Sequence, residues 1–316
     1  MLSNNLVLIT GNANKQLAQK ISDDLDVPLA ETLVANFSDG ETRVEINTNI
    51  RGADVFVLQS TSQPVNDHLM EALILADACK RASAGRLTFV NPYYGYSRQE
   101  RKARSRAPIT AKLVANLIQS AGFDRMLSVE LHAEAIQGFF DIPFDHLYAK
   151  KVFADELKHR IDDKESLVLV SPDAGGVTRT RALAKELGCQ IAIIDKRRSN
   201  PNESEVMHVL GNVENKFCVI YDDMCDTAGT LCKAASALKQ QGALSVNAAI
   251  THPILSGPAV ERIQQSVLEK VIITDSIPMP DILPTSSLYE GYNKQEQISI
   301  ATLLGKAIQR IHNNES

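Results

Sequence analysis

The chain has 316 residues, five cysteines, a formal net charge of −5 and a hydrophobic fraction of 44%. That length suits two domains of about 150 residues each, and the composition is that of a folded globular protein. The acidity argues against a general nucleic-acid binder, no stretch approaches about 18 apolar residues, and the first residues carry no signal-like pattern, so the chain reads as a cytoplasmic protein with no nucleic-acid partner and no membrane span.

Short β-rich runs occur at residues 6–9, 55–58, 87–91, 127–130, 167–170, 190–194, 217–221, 246–251 and 271–274. Helical stretches separate them. Residues 109–121 follow Pro108 and stop at Gly122. Residues 230–241 place Leu231, Ala234, Ala235 and Leu238 on one face and stop at Gly242. Alternation of strand and helix predicts parallel sheets covered by helices on both faces. A last amphipathic stretch, near 298–311, follows a proline-rich loop and reads as a closing helix of the second half. The order strand, polar loop, helix, glycine, strand ending in proline occurs twice, near 54–92 and near 216–253, which predicts domains over 1–148 and 149–316. The five cysteines are odd in number and form no C-x-x-C pair, so they read as reduced thiols. Cys225 alone lies in a polar loop, where it reads as filling a small apolar slot.

That loop carries the most information. The hydrophobic run 217–221 delivers the chain to Asp222, Asp223, Met224, Cys225, Asp226, Thr227, Ala228, Gly229 and Thr230, and a helix leaves it. N–H groups at a helix start have no intrahelical partner and face the positive end of the dipole, so they form an anion site. Ala228 and Gly229 allow close approach of a phosphate, and Thr227 and Thr230 add hydroxyls. Asp222 and Asp223, at the expected strand end, suit vicinal sugar hydroxyls and not the phosphate, which they would repel. Neither G-x-x-x-x-G-K nor G-x-G-x-x-G is present. A capped turn with solvated acids is the plainer alternative, but three acids and two threonines at one junction speak against it.

Other clusters are weaker alone. Ser171, Pro172, Asp173, Ala174, Gly175 and Gly176 form a second strand-to-helix junction suited to a diphosphate, with Asp173 able to reach Mg²⁺. Lys196, Arg197 and Arg198 follow a buried-looking run, and Lys196 and Arg198 share a face if extended. Arg98, Arg101, Lys102, Arg104 and Arg106 make a basic run beside tyrosines, read as a site for a small polyanion such as ATP in preference to nucleic acid. His132 follows a strand, where a structural and a metal or phosphate role both stay open.

Taken together, these pieces resemble the ribose-phosphate diphosphokinase family, whose sugar loop is that of the type I phosphoribosyltransferases. The resemblance spans nearly the whole chain and rests on residues 37–41, 93–112, 130–133, 137–140, 171–176, 195–198 and 222–230. It implies an α/β fold of two tandem type I phosphoribosyltransferase-like domains, each a mostly parallel sheet with helices on both faces, and a homohexamer. It implies transfer of the β,γ-diphosphoryl group of ATP to O1 of ribose 5-phosphate, with release of AMP and Mg²⁺ as cofactor. By position, Lys196 and Arg198 would stabilise the transferring group. Asp222 and Asp223 would bind the ribose hydroxyls, and Asp226, Thr227, Ala228, Gly229 and Thr230 the 5-phosphate. Phe37, Asp39, Gly40, Glu41, Arg98 and Gln99 would contact ATP, the first four from a neighbouring subunit. His132 and Asp173 would hold the metal. Ser97, Glu100, Cys225 and Ala228 depart mildly from the family pattern and remove no functional group. A phosphoribosyltransferase or a non-catalytic regulatory homologue is the alternative.

Overall fold

The computed structural model describes residues 5–160, 166–197, 206–279 and 294–315. It divides into two units. One runs to Tyr148 and takes in Ser276–Pro278 and Ser299–Ser316; the other comprises Ala149–Asp275 and Met279–Ile298.

The first unit opens with strand β1 (Leu6–Thr10) and helix α1 (Lys15–Leu25), whose Asn14 cap accepts the Leu17 N–H at 3.1 Å. An antiparallel hairpin follows, β2 (Thr32–Asn36) and β3 (Thr42–Ile46). Next come β4 (Asp54–Leu58), α2 (Val65–Arg81), β5 (Arg86–Asn91), α3 (Thr110–Ala121), β6 (Arg125–Val129) and β7 (Phe144–Leu147). Acidic Asp67 in the first turn of α2 and Lys80 and Arg81 in its last suit the helix dipole. Gly122, at φ 103°, ends α3 in the left-handed conformation that favours glycine. The five-stranded sheet has the order β1-β4-β5-β6-β7, and every pairing in it is parallel. Ile9, Val55, Val57, Leu87 and Phe89 pack against Leu69, Leu75 and Cys79 of α2 and Val114 and Ile118 of α3. Alternate residues Leu8, Phe56, Val90 and Leu127 are equally buried, so the other face is covered too.

The second unit starts with α4 (Lys150–Arg160), β8 (Leu167–Ser171), α5 (Val177–Leu187) and β9 (Gln190–Arg197). It continues through β10 (Val206–Leu210), β11 (Phe217–Cys225), α6 (Gly229–Gln240), β12 (Ser245–Pro253), α7 (Ala259–Gln265), β13 (Val271–Thr274) and β14 (Gln295–Ile298). The seven-stranded sheet has the order β10-β9-β8-β11-β12-β13-β14 and is parallel except for β9 with β10. Val168, Val170, Cys218 and Ile220 face a core with Leu231, Ala235 and Leu238 of α6. On the opposite face the Tyr221 ring meets Phe153 of α4 edge-on, with centroids 5.5 Å apart.

The closing helix α8 (Ala301–His312) corrects the expected domain partition. It belongs to the first unit, where it packs on α1, and not to the second half in which its sequence lies. Ala301, Leu304, Ile308 and Ile311 form its buried face. An amphipathic period shows that a helix has an apolar stripe but not which core that stripe covers.

Candidate active site

In the second sheet the chain steps from β8 outward to β9 and β10, then returns to place β11 on the other side of β8. The strand order thus reverses between β8 and β11. Open parallel sheets bind ligands beyond the carboxyl ends of the strands at such a point, because the connections there leave on opposite faces and open a crevice. Both glycine-bearing junctions, 171–176 and 226–229, lie at this point.

The register sharpens the picture and corrects one expectation. The sequence placed Asp222 and Asp223 at a strand end after 221, but β11 continues to Cys225. Its pairing with β8 stops at Ile220, opposite Val170, whereas its pairing with β12 goes on through Asp222 opposite Ile250 to Cys225 opposite Pro253. The two acids are therefore held by one neighbour only, where β11 has parted from β8.

Arg179 of α5 completes this acid pair, and the sequence reading missed it. Its Nη1 lies 2.5 Å from Asp223 Oδ1 and 3.6 Å from Asp222 Oδ1. The Asp223 N–H donates to Asp222 Oδ1 at 2.9 Å. Burial pushes the Asp222 carboxyl well above the ordinary carboxylate range; the charge and hydrogen bond of Asp223 push further, Arg179 opposes them, and Asp173 adds a smaller upward effect. An arginine in a helix resembles any solvated cation in sequence; its place three residues after Gly176 was the available signal.

The loop at 226–230 is braced from behind. Asp226 accepts from the Ser256 hydroxyl, and its carbonyl accepts the Ser256 N–H at 3.0 Å. Arg262 Nη1 donates to the Thr227 carbonyl at 3.0 Å, and the Leu255 N–H donates to the Cys225 carbonyl at 3.0 Å. Ala228 takes the left-handed conformation, φ 59°, as N-cap of α6, and its methyl provides no cap hydrogen bond. The α6 N-terminus thus offers backbone N–H groups and the positive end of its dipole, with Thr227 and Thr230 exposed beside it. Cys225 is buried, and burial pushes its thiol up to about 12, which leaves it protonated and inert, in keeping with a packing role.

At the other junction, Asp173 Oδ1 accepts the Gly176 N–H at 3.0 Å and the Ser171 hydroxyl donates to the Asp173 carbonyl at 2.7 Å. A Cβ on Gly176 would stand 2.8 Å from Ser171 Oγ, so a larger residue there would displace the serine hydroxyl. Lys196 lies within β9, opposite Met207 of β10, because the strand continues past the apolar run that ends at residue 194. Since Ile193 pairs with Ser171, the Lys196 backbone extends about 10 Å past the end of β8, at about 3.3 Å per residue, toward the same sheet edge. Arg198 lies outside the described residues.

The remaining candidates belong to the first unit. Phe37, Asp39, Gly40 and Glu41 form the exposed tip of the β2–β3 hairpin. The Phe37 N–H donates to the Glu41 carbonyl at 2.8 Å, the Glu41 N–H to Asp39 Oδ1 at 3.1 Å, and Gly40 has φ 94°. Phe37 is 51% exposed, beneath the Arg43 guanidinium 5.9 Å from its ring centroid. Arg98 and Gln99 lie in a 3-10 turn, Ser97–Gln99, and Gln99 Oε1 accepts the Thr110 hydroxyl. His132 is exposed just beyond β6, after Glu130 at φ 45°. His252 is buried within β12. Among the described residues, no group of three or more His, Cys, Asp or Glu side chains gathers as a metal cluster.

The reversal of strand order thus brings an acid pair and a helix start to one edge of the sheet, within a domain of the phosphoribosyltransferase type. Residues 145–279 match the phosphoribosyl transferase domain family, and residues 6–122 match the N-terminal domain of ribose phosphate pyrophosphokinase. The chain is 55% identical over 314 residues to ribose-phosphate pyrophosphokinase 1 of Streptococcus agalactiae, covering 99% of this chain and 95% of that one. It is 52% identical over 318 residues to the ribose-phosphate pyrophosphokinase of Nitrosomonas europaea, covering 100% and 98%. The crystal structure of phosphoribosylpyrophosphate synthetase from Mycobacterium smegmatis superposes with a TM-score of 0.90 at 40% identity, over 98% of this chain and 100% of that one. The chain belongs to the ribose-phosphate pyrophosphokinase family and is an enzyme of that class.

Proposed function

We propose that this enzyme transfers the β,γ-diphosphoryl group of ATP to O1 of ribose 5-phosphate, giving 5-phosphoribosyl 1-diphosphate and AMP. The observation that carries the reading is the pairing, at one reversal of strand order, of the Asp222–Asp223 acids with the uncapped start of α6. The acids accept hydrogen bonds from the ribose hydroxyls. The 226–230 loop takes the 5-phosphate on backbone N–H groups and the Thr227 and Thr230 hydroxyls. The sugar is thereby gripped at both ends, which presents O1 to the β-phosphorus in a fixed orientation.

Lys196 and Arg198 neutralise the oxygens of the transferring group as negative charge grows toward the departing AMP. Arg98 and Gln99 bind ATP, with Gln99 oriented by Thr110, and Phe37, Asp39, Gly40 and Glu41 reach the nucleotide from a neighbouring subunit of a homohexamer. The exposed Phe37 on a hydrogen-bonded hairpin tip supports that role. The basic run 101–106 closes over ATP and excludes water, which limits hydrolysis.

His132 and Asp173 would hold Mg²⁺. The donor chemistry fits an ion that takes one or two protein ligands and otherwise binds substrate phosphates, and Asp173 adds negative charge at the acid-rich edge where Asp222 lies. When bound, Mg²⁺ supplies charge neutralisation to the phosphates. No helix among the described residues is long and apolar enough to cross a membrane.

The coproduct tests this reading. Chromatography of a reaction containing ribose 5-phosphate, ATP and Mg²⁺ is expected to find AMP; accumulation of ADP would indicate single-phosphate transfer instead.

A further inference from the structure

We propose that Arg179 is the positioning residue that sets the enzyme's preference for a sugar carrying both vicinal hydroxyls, by holding Asp222 and Asp223 in the orientation that accepts hydrogen bonds from them. The inference rests on the sugar-site reading above and adds the residue on which its selectivity depends.

Two adjacent carboxylates on one strand repel each other and, left alone, turn apart. Here a single guanidinium nitrogen stands 2.5 Å from Asp223 Oδ1 and 3.6 Å from Asp222 Oδ1, so one cation holds both. The Asp223 side chain is only 5% exposed and that of Arg179 only 17%, which limits screening of the pair by water. The Asp223 N–H donates to Asp222 Oδ1 and fixes the second carboxylate from the backbone.

Arg179 is itself anchored. It lies in the first turn of α5, where the Thr180 N–H and the Thr180 hydroxyl both donate to the Gly176 carbonyl at 3.0 Å. Gly176 is in turn tied to Asp173. The guanidinium thus links the 171–176 junction, on one side of the strand-order reversal, to the acid pair on the other. Both contacts run through one Nη1, and a lysine ammonium, on a shorter and more mobile stem, would reproduce them only in part. Sites that hydrogen-bond a substrate hydroxyl discriminate against analogues lacking it because their polar groups are then left unpaired, and that discrimination requires the polar groups to be held in place.

The test compares kcat/KM for ribose 5-phosphate and for 2-deoxyribose 5-phosphate in the wild-type enzyme, Arg179→Gln, Arg179→Lys and Asp223→Asn. The wild type is expected to prefer the ribose sugar by at least about 10²-fold. Arg179→Gln is expected to lower kcat/KM for ribose 5-phosphate by about 10²-fold, chiefly through KM for the sugar. The deoxy sugar changes little, so the preference collapses, while KM for ATP stays within about twofold. Arg179→Lys should keep part of the preference. Equal losses on both sugars, or an equal rise in KM for ATP, would reduce Arg179 to a structural brace and overturn the proposal. Should Arg179→Gln fail to fold, full wild-type preference in Arg179→Lys overturns it. A wild-type enzyme without preference, or an Asp223→Asn variant that keeps it, contradicts the sugar-site reading itself. Preference lost in Asp223→Asn but kept in Arg179→Gln contradicts the role of Arg179 alone.

Discussion

His312 Nδ1 lies 2.7 Å from Asp54 Oδ2, a contact that ties the last helix of the chain to the first residue of β4. Arg86 grips the same carboxylate, Nε to Oδ1 at 2.7 Å and Nη2 to Oδ2 at 2.6 Å, and its Nη2 also donates to the Ile311 carbonyl at 2.9 Å. Asp54 therefore joins Arg86 and His312 and, through Arg86, the end of α8. Asp54→Asn breaks the bidentate pair and leaves the Arg86 guanidinium half-buried without its counter-charge. We expect a loss of about 2–3 kcal/mol in chemical denaturation of the first unit. Unchanged stability would show that apolar packing alone holds the helix.

Cys225 is expected to contribute packing and no chemistry. Its thiol, raised to about 12, stays protonated at neutral pH and touches the core of the second unit. Cys225→Ala should keep kcat within about twofold and cost about 1 kcal/mol of stability, the loss of one small buried group. Steady-state kinetics showing a loss of 10²-fold or more, on the scale of about one displaced reacting group, would contradict this.

Strand–helix alternation, the strand-to-helix junction after β11 and the family were legible in the sequence because each rests on local pattern. Residues 110–121 and 229–240 form helices within a residue or so of the periods that predict them. What escaped was set by distant contacts. The β2–β3 hairpin, β7, β10 and β14 are short and gain their pairing from a neighbour, not from their own composition. Strand β11 runs past Asp222 because β12 supplies partners as far as Pro253, and β9 runs past Ile194 because β10 folds back on it. Arg179 escaped for the same reason, since its significance is a place opposite two acids more than 40 residues further along the chain.

Asp222 makes stability depend on pH with a definite sign. A carboxyl whose folded value lies above its unfolded one binds its proton more tightly in the folded state. Its contribution therefore favours folding below the unfolded value and is lost as pH rises through the folded one. Once pH exceeds the unfolded value, keeping Asp222 buried costs stability. Asp222→Asn is therefore expected to melt about 2 °C higher than wild type near pH 8, with the gap closing toward pH 4, even as it weakens sugar binding. Melting curves with the opposite trend would contradict the assignment.

Lys196→Ala is expected to lower kcat by about 10²–10³, the usual cost of losing one preorganised donor to a transition state, with a smaller effect on KM for ribose 5-phosphate. A folded variant with near wild-type kcat would remove Lys196 from the proposed machinery.

The most direct measurement follows the phosphorus atom itself. ATP labelled at the β-phosphate is incubated with ribose 5-phosphate, Mg²⁺ and the purified enzyme, and the products are separated. In the proposed reading the acid pair and the α6 start hold the sugar phosphate, and the chemistry gives it a diphosphate. The label should therefore be recovered on a pentose product, with one AMP formed for each. Label remaining in ADP, or released as free phosphate without a labelled pentose, would contradict the account.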